Sequence, residues 1–93
     1  MTKIDLKSKA EKFIRLLPPK HQRQIKDRIL ALQTNYYPHD AKKLIGYESY
    51  VRVDVGEYRI IYPYDAEKDM ITVVLIGKRN DSEIYRVMKR VLR

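Results

Sequence analysis

The sequence predicts an α+β fold, a helical hairpin packed on an antiparallel sheet with a helix closing the chain. Three observations carry that expectation. Apolar residues recur at helical spacing between residues 10 and 32, at strand spacing between residues 50 and 62, and at helical spacing again after residue 81. The expected element order is β-α-α-β-β-β-α. Ninety-three residues with no repeat, low-complexity tract or Gly/Ser linker are expected to form one domain, 1–93.

Ile4 and Leu6 alternate with charged residues and suggest a short opening strand. Ser8 and Glu11 stand at capping-box spacing, and Ala10, Phe13, Ile14 and Leu17 behind them form one apolar stripe. Pro18 and Pro19 end that helix, and Pro19 suits the first turn of the next. Ile25, Ile29 and Leu32 give the second helix an inward stripe, while Lys20, Arg23, Lys26 and Arg28 occupy its other faces. Residues 35–40 are turn-like, and 41–46 read as a connector.

Val51, Val53 and Val55 then alternate with Tyr50, Arg52 and Asp54, the mark of a half-buried strand. Gly56 and Glu57 make a two-residue hairpin, with Gly56 taking the positive φ, and residues 58–64 return. After a loop at 65–69, residues 70–76 are apolar on both faces and read as a central strand. Asp81 or Ser82 would cap a final helix striped by Ile84, Met88 and Val91. Tyr36, Tyr37, Tyr47, Tyr50, Tyr58, Tyr62 and Tyr64 read mostly as core or strand-forming residues.

Composition narrows the function. The absence of cysteine rules out a disulfide framework and suits a reducing cytoplasm. The opening residues lack the apolar stretch of a secretion signal, and no run is long enough to cross a bilayer. The formal net charge of +8 is divided as +6 over residues 1–33, −2 over 34–77 and +4 over 78–93. Two basic blocks flanking a near-neutral middle favour a polyanion, because each phosphate neutralised releases condensed counterions. A partner protein of acidic character would suit the same surface.

Hairpin parity locates the chemistry. With Gly56 and Glu57 in the turn, Val55 faces Tyr58, Asp54 faces Arg59 and Val53 faces Ile60. Val51, Val53, Val55, Tyr58, Ile60 and Tyr62 then share the core face, and Arg52, Asp54 and Arg59 share the other. Arg79, with Lys78 beside it, follows the next strand. Three guanidinium groups on one face can grip phosphate oxygens and stabilise the extra charge of a phosphorane-like transition state. RNA is the natural substrate, since its own 2′-hydroxyl can attack the adjacent phosphate. Tyr85, one turn into the last helix, could stack on a base. The alternative is that Arg52 and Arg59 are solvated sheet residues and Tyr85 belongs to the core.

Opposite Arg59, Asp54 makes a cross-strand ion pair worth about 0.2–1 kcal/mol. Arginines around it should lower its pKa, which weakens it as a general base. His21 and His39 lie away from this face, against a paired-histidine mechanism. No His/Asp/Glu cluster has ligand spacing, and with three glycines there is no phosphate-cradling loop, so neither metal nor cofactor is expected.

Lys43-Leu44-Ile45-Gly46, the run Tyr50 to Tyr62, Ile76-Gly77-Lys78-Arg79 and Glu83-Ile84-Tyr85-Arg86, taken in order, resemble the RelE branch of the RelE/ParE toxins. Each motif is short; their order and spacing are fairly specific and span essentially the whole chain. The resemblance implies a RelE-like fold and the toxin of a type II toxin–antitoxin pair. It implies an mRNA interferase: a ribosome-dependent endoribonuclease that cuts mRNA in the A site by metal-independent 2′-hydroxyl attack. The implied partners are a cognate antitoxin, the ribosome with its mRNA and rRNA, and operator DNA only through the antitoxin complex.

Carried over by residue, the resemblance makes Arg52, Asp54, Arg59, Arg79 and Tyr85 the catalytic set. Lys42, Lys43, Lys78, Arg86, Lys26 and Arg23 are the candidates for RNA and ribosome contact. Two positions depart from RelE: Asp54 stands where it has a lysine implicated in proton transfer, and Ile45 where it has a basic residue. The resemblance still implies phosphate binding under those changes, while the rate and the identity of the base are opened: either Asp54 substitutes as base or the enzyme is slow. The alternatives are a ParE-like, non-catalytic inhibitor of DNA gyrase and a degenerate module that only binds antitoxin.

Overall fold

The computed structural model describes residues 2–79 and 83–91. Its elements are β1 (Lys3–Leu6), α1 (Ser8–Arg15), α2 (Pro19–Ala31), β2 (Lys42–Leu44), β3 (Tyr47–Val55), β4 (Tyr58–Asp65), β5 (Met70–Val73), β6 (Leu75–Lys78) and α3 (Glu83–Val91). The α+β class, the helical hairpin and the closing helix are as the sequence predicts. The sheet runs β1-β5-β4-β3-β2, with β6 also on β4. No helix among the described residues is long and apolar enough to cross a membrane.

Four details differ from expectation, each for a physical reason. Residues 41–46 are more than a connector: Lys42 pairs with Arg52 and Lys43 with Val51, making β2 a short edge strand. Its adjacent lysines hide the alternation a strand normally shows, and charges are what an exposed edge tolerates. The 70–76 run divides at Val74 into β5 and β6, both along β4. The sheet is not wholly antiparallel, since β1 runs parallel to β5. Everything between those two strands serves as the long crossover a parallel pair requires.

Fourth, Ser8 forms no capping box. The cap position is Lys7, with no side-chain hydrogen bond, and the Glu11 amide reaches the Lys7 carbonyl at 3.0 Å. Because the Lys7 amide is bonded to the Val73 carbonyl (3.0 Å), the strand hands over to the helix one residue early. Glu11 instead meets Arg15 one turn on, at 3.3 Å. At the second helix Pro19 opens the first turn as expected, and Pro18 takes the cap position.

The sheet separates two apolar layers. On one face α1 and α2 bury Ala10, Ile14, Ile25, Ile29 and Leu32 against Val51, Val53, Tyr58, Ile60, Tyr62, Ile71, Val73 and Ile76. Ile25, Ile60 and Ile71 are wholly buried, and each such side chain contributes roughly 1.5–3 kcal/mol from area removed from water. The Tyr62 hydroxyl donates to the Tyr36 carbonyl at 2.8 Å, and burial pushes its pKa up to about 12. On the other face Met88 of α3 packs with Leu44, Ile61 and Leu75, flanked by Tyr47, Tyr50, Val74 and Val87.

Tyr36 and Tyr37 lie outside the core, each about two-fifths exposed. Tyr36 stacks on Tyr64 with ring centroids 3.7 Å apart. A loop offers no second layer to cover them, so the tyrosines are mostly, not wholly, core or strand residues. Asp81 and Ser82, expected to cap α3, lie outside the described residues, as do the side chains of Ile84 and Val91.

Candidate active site on the open sheet face

The β3–β4 hairpin has the register its valines demand: Val55 opposite Tyr58, Asp54 opposite Arg59 and Val53 opposite Ile60. Gly56 sits in the turn at φ +56°, where a Cβ is strained. One residue of slippage would send the valines to solvent and the arginines into the core. The hairpin therefore presents Arg52, Asp54 and Arg59 on the face that carries α3.

The Arg59 Nε donates to Asp54 Oδ1 at 2.9 Å. Arg52 Nη1 is 4.0 Å, and Arg79 Nε 3.9 Å, from Asp54 Oδ2. Three guanidinium groups from β3, β4 and the residue after β6 thus converge on one carboxylate. Arg79 is steadied by the hairpin turn itself: its amide donates to the Glu57 carbonyl at 2.9 Å and its Nη1 to the Gly56 carbonyl at 3.3 Å. Arg59 Nη1 donates to the Tyr85 hydroxyl at 2.5 Å, linking α3 to the cluster. Tyr85 remains 38% exposed, so its ring is open to a ligand.

The electrostatics follow from the packing. Partial burial alone would raise the Asp54 pKa, but the Arg59 hydrogen bond and the charges of Arg59, Arg79 and Arg52 outweigh it and hold the carboxyl below its ordinary 3.8. The hydrogen bond that Arg59 donates to Asp54 raises the Arg59 pKa against the opposing effect of burial. Asp40 is lowered chiefly by its hydrogen bond from Arg28, at 2.6 Å.

Both carboxyls are thus more acidic folded than unfolded, so the stability they contribute is complete above about pH 4–5 and is lost as pH falls through the folded values. The urea midpoint is expected to hold steady from neutral pH to about 5 and to fall progressively below 4. Asp54→Asn should flatten part of that decline. A midpoint indifferent to acid would contradict the arrangement.

Beside the cluster lies an open hollow of about 500 Å³ lined by Lys42, Lys43, Leu44, Ile45, Arg52 and Tyr85. Lys42 reaches it as the cross-strand partner of Arg52, and Ile45 stands fully exposed at its rim. The other candidates are not gathered here. Lys78 is exposed but shares strand parity with Tyr58 and Ile76, on the α1/α2 side. Arg23 and Lys26 belong to α2, behind the sheet; Lys26 lines a separate groove with Ile4, Leu6, Ile29, Leu30 and Gln33. Arg86 is exposed on α3, outside the hollow's lining. His21 is also behind the sheet, its Nδ1 2.6 Å from the Tyr58 hydroxyl.

Sequence reasoning missed the apolar cluster that seats α3. Its signal was present: Ile60 and Ile61 are adjacent in one strand, so both sheet faces need cover. It also missed the bond from Arg59 to the Tyr85 hydroxyl, while Lys42, named as a contact candidate, acquires its place beside Arg52 only once β2 is paired.

Comparisons with known proteins agree with this fold. The model of a family described as the ParE toxin of type II toxin–antitoxin systems matches residues 4–83. Among solved structures, an E. coli RelE toxin mutant in the free state is 25% identical with TM-score 0.78, the match covering 97% of each chain. A Methanococcus jannaschii RelB–RelE antitoxin–toxin complex is 26% identical with TM-score 0.68, covering 89% of this chain and 96% of that one. The archaeal RelE–RelB complex from Pyrococcus horikoshii OT3 is 23% identical with TM-score 0.74, covering 84% and 94%. No curated protein matches the sequence.

Proposed function

From the premise that this chain belongs to the ParE toxin family of type II toxin–antitoxin systems, we propose that it is a RelE-type endoribonuclease cutting mRNA in the ribosomal A site. The observation that carries the reading is the convergence of Arg52, Arg59 and Arg79 on one point, beside an exposed Tyr85. Guanidinium groups from separate elements can hold the non-bridging oxygens of a phosphodiester in a fixed orientation. The substrate's 2′-hydroxyl oxygen attacks phosphorus, the bond to the 5′ oxygen breaks, and a 2′,3′-cyclic phosphate and a 5′-hydroxyl result. As the phosphorane gathers charge, guanidiniums already aimed at it stabilise it without reorganising.

Asp54, held ionised by its arginines, is a weak acceptor for the 2′-hydroxyl proton, which implies a modest rate. Tyr85 offers its ring to a base, and Lys42 and Lys43 line the way for flanking phosphates. The protein acts in the cytoplasm, without metal or cofactor. Two of the structural relatives were solved with an antitoxin bound, and a cognate antitoxin is the partner inferred for this chain. Operator DNA would be reached through that complex.

The ParE description of the matching family favours one other reading, a protein that inhibits DNA gyrase by binding alone. Two assays separate them. Expression is expected to halt translation, with primer extension showing new 5′ ends within translated mRNA, while purified protein leaves gyrase supercoiling unchanged. Blocked supercoiling with intact mRNA would reverse the assignment, and inertness in both would leave an antitoxin-binding module.

A further inference from the structure

Asp54 occupies the position where a ligand anion would be held. Arg59 reaches both of its carboxylate oxygens, Oδ1 at 2.9 Å and Oδ2 at 3.5 Å, and Arg79 and Arg52 stand 3.9 and 4.0 Å from Oδ2. A carboxylate and a phosphodiester each carry one negative charge over two terminal oxygens, and guanidinium binds both in the same paired fashion. Three like charges so close would repel one another were no anion between them. With one carboxylate against three guanidiniums, the cluster keeps a surplus of two positive charges. Asp54 is also 30% exposed at its side chain, and so has room to leave.

We propose that Asp54 is a resident stand-in for the scissile phosphate: it holds Arg52, Arg59 and Arg79 converged in the free protein, and RNA binds by displacing it. The inference rests on the reading of this face as a phosphodiester site and adds a positioning residue that competes with substrate. The competition restrains affinity, since an entering phosphate must exchange with a tethered anion and meets its repulsion as it approaches. In return the arginines are gathered before substrate arrives, so less side-chain freedom is lost on binding.

The test uses a fluorescent single-stranded RNA with every ribose 2′-O-methylated, which cannot be cut, and anisotropy at fixed low salt. Asp54→Asn keeps the shape and removes the charge; it is expected to bind about tenfold tighter than the wild type, from the repulsion relieved. Asp54→Glu keeps the competing charge and should bind no tighter than the wild type. A purely structural Asp54 predicts equal or weaker binding by the Asn variant, and either result overturns the stand-in. In the wild-type protein, whatever the variants do, the Arg59 Nε–H resonance should move as RNA is added; a resonance that stays fixed while RNA binds overturns the proposal. Unchanged affinity of the Asn variant in a protein whose toxicity depends on Arg59 sinks the stand-in alone. Failure of every form to bind RNA sinks it together with the nuclease reading.

Discussion

Replacing Arg59 with alanine is expected to lower mRNA cleavage roughly 10²–10³-fold, the loss typical when one preorganised charge donor is taken from a reacting centre. Arg59 is the most enclosed of the three arginines, 13% exposed at its side chain against 25% for Arg52 and 47% for Arg79. It also bridges Asp54 and Tyr85, so its removal loosens the carboxylate and the phenol together. Lysine should not restore the rate, because a point charge cannot keep both contacts. The fold should persist, since Arg52 and Arg79 still flank Asp54. Single-turnover cleavage on programmed ribosomes, read beside the growth of expressing cells, checks this. An alanine variant within tenfold of the parent rate would remove Arg59 from the machinery.

The second large effect concerns stability. Met88→Ala should cost about 2–5 kcal/mol, the range for truncating a buried methionine or leucine. Met88 is 1% exposed and, among the described residues, is the buried one by which α3 enters the cluster of Leu44, Ile61 and Leu75. The loss should fall first on α3, whose amides are expected to exchange faster than those of β4. Tyr85 would then no longer be held against Arg59, and cleavage should fall although no group of the arginine cluster has changed. Hydrogen exchange followed by mass spectrometry reads both regions at once. Protection in α3 equal to the parent's would show that the helix is held by something other than this contact.

The first expectation rests on what the sequence could convey, the second on packing that it could not. Strand parity was legible because three valines on one side of the hairpin leave Arg52 and Asp54 no other face, and Gly56-Glu57 fixes where the strand turns. Those two constraints are enough to set Asp54 across from Arg59. The strand β2 was not legible, since residues 42–44 have neither the length nor the alternation of a strand and become one only by lying against β3. The parallel pairing of β1 was hidden for another reason: Ile4 and Leu6 report that one face is buried, but nothing local reports which strand lies alongside. Arg23 and Lys26 show the reverse limit, where charge marked a solvated helix face and could not say on which side of the sheet that helix lies. The seating of α3 depended on Ile61 and Leu75, residues that a buried strand would carry in any case.

The pairing of β1 with β5 has a consequence for when this molecule becomes harmful. Lys3 cannot find its neighbour until Met70 has been made, and the cluster needs Arg79 and Tyr85, which follow later still. Nucleation by long-range pairing is slow, and domains generally fold as units once their parts are available. A ribosome translating this message therefore carries an unfinished, inert chain through most of the elongation. The strand that emerges first is among the last to be fastened, which delays assembly of the arginine cluster until the machine that made it has moved past the sequence encoding Arg79.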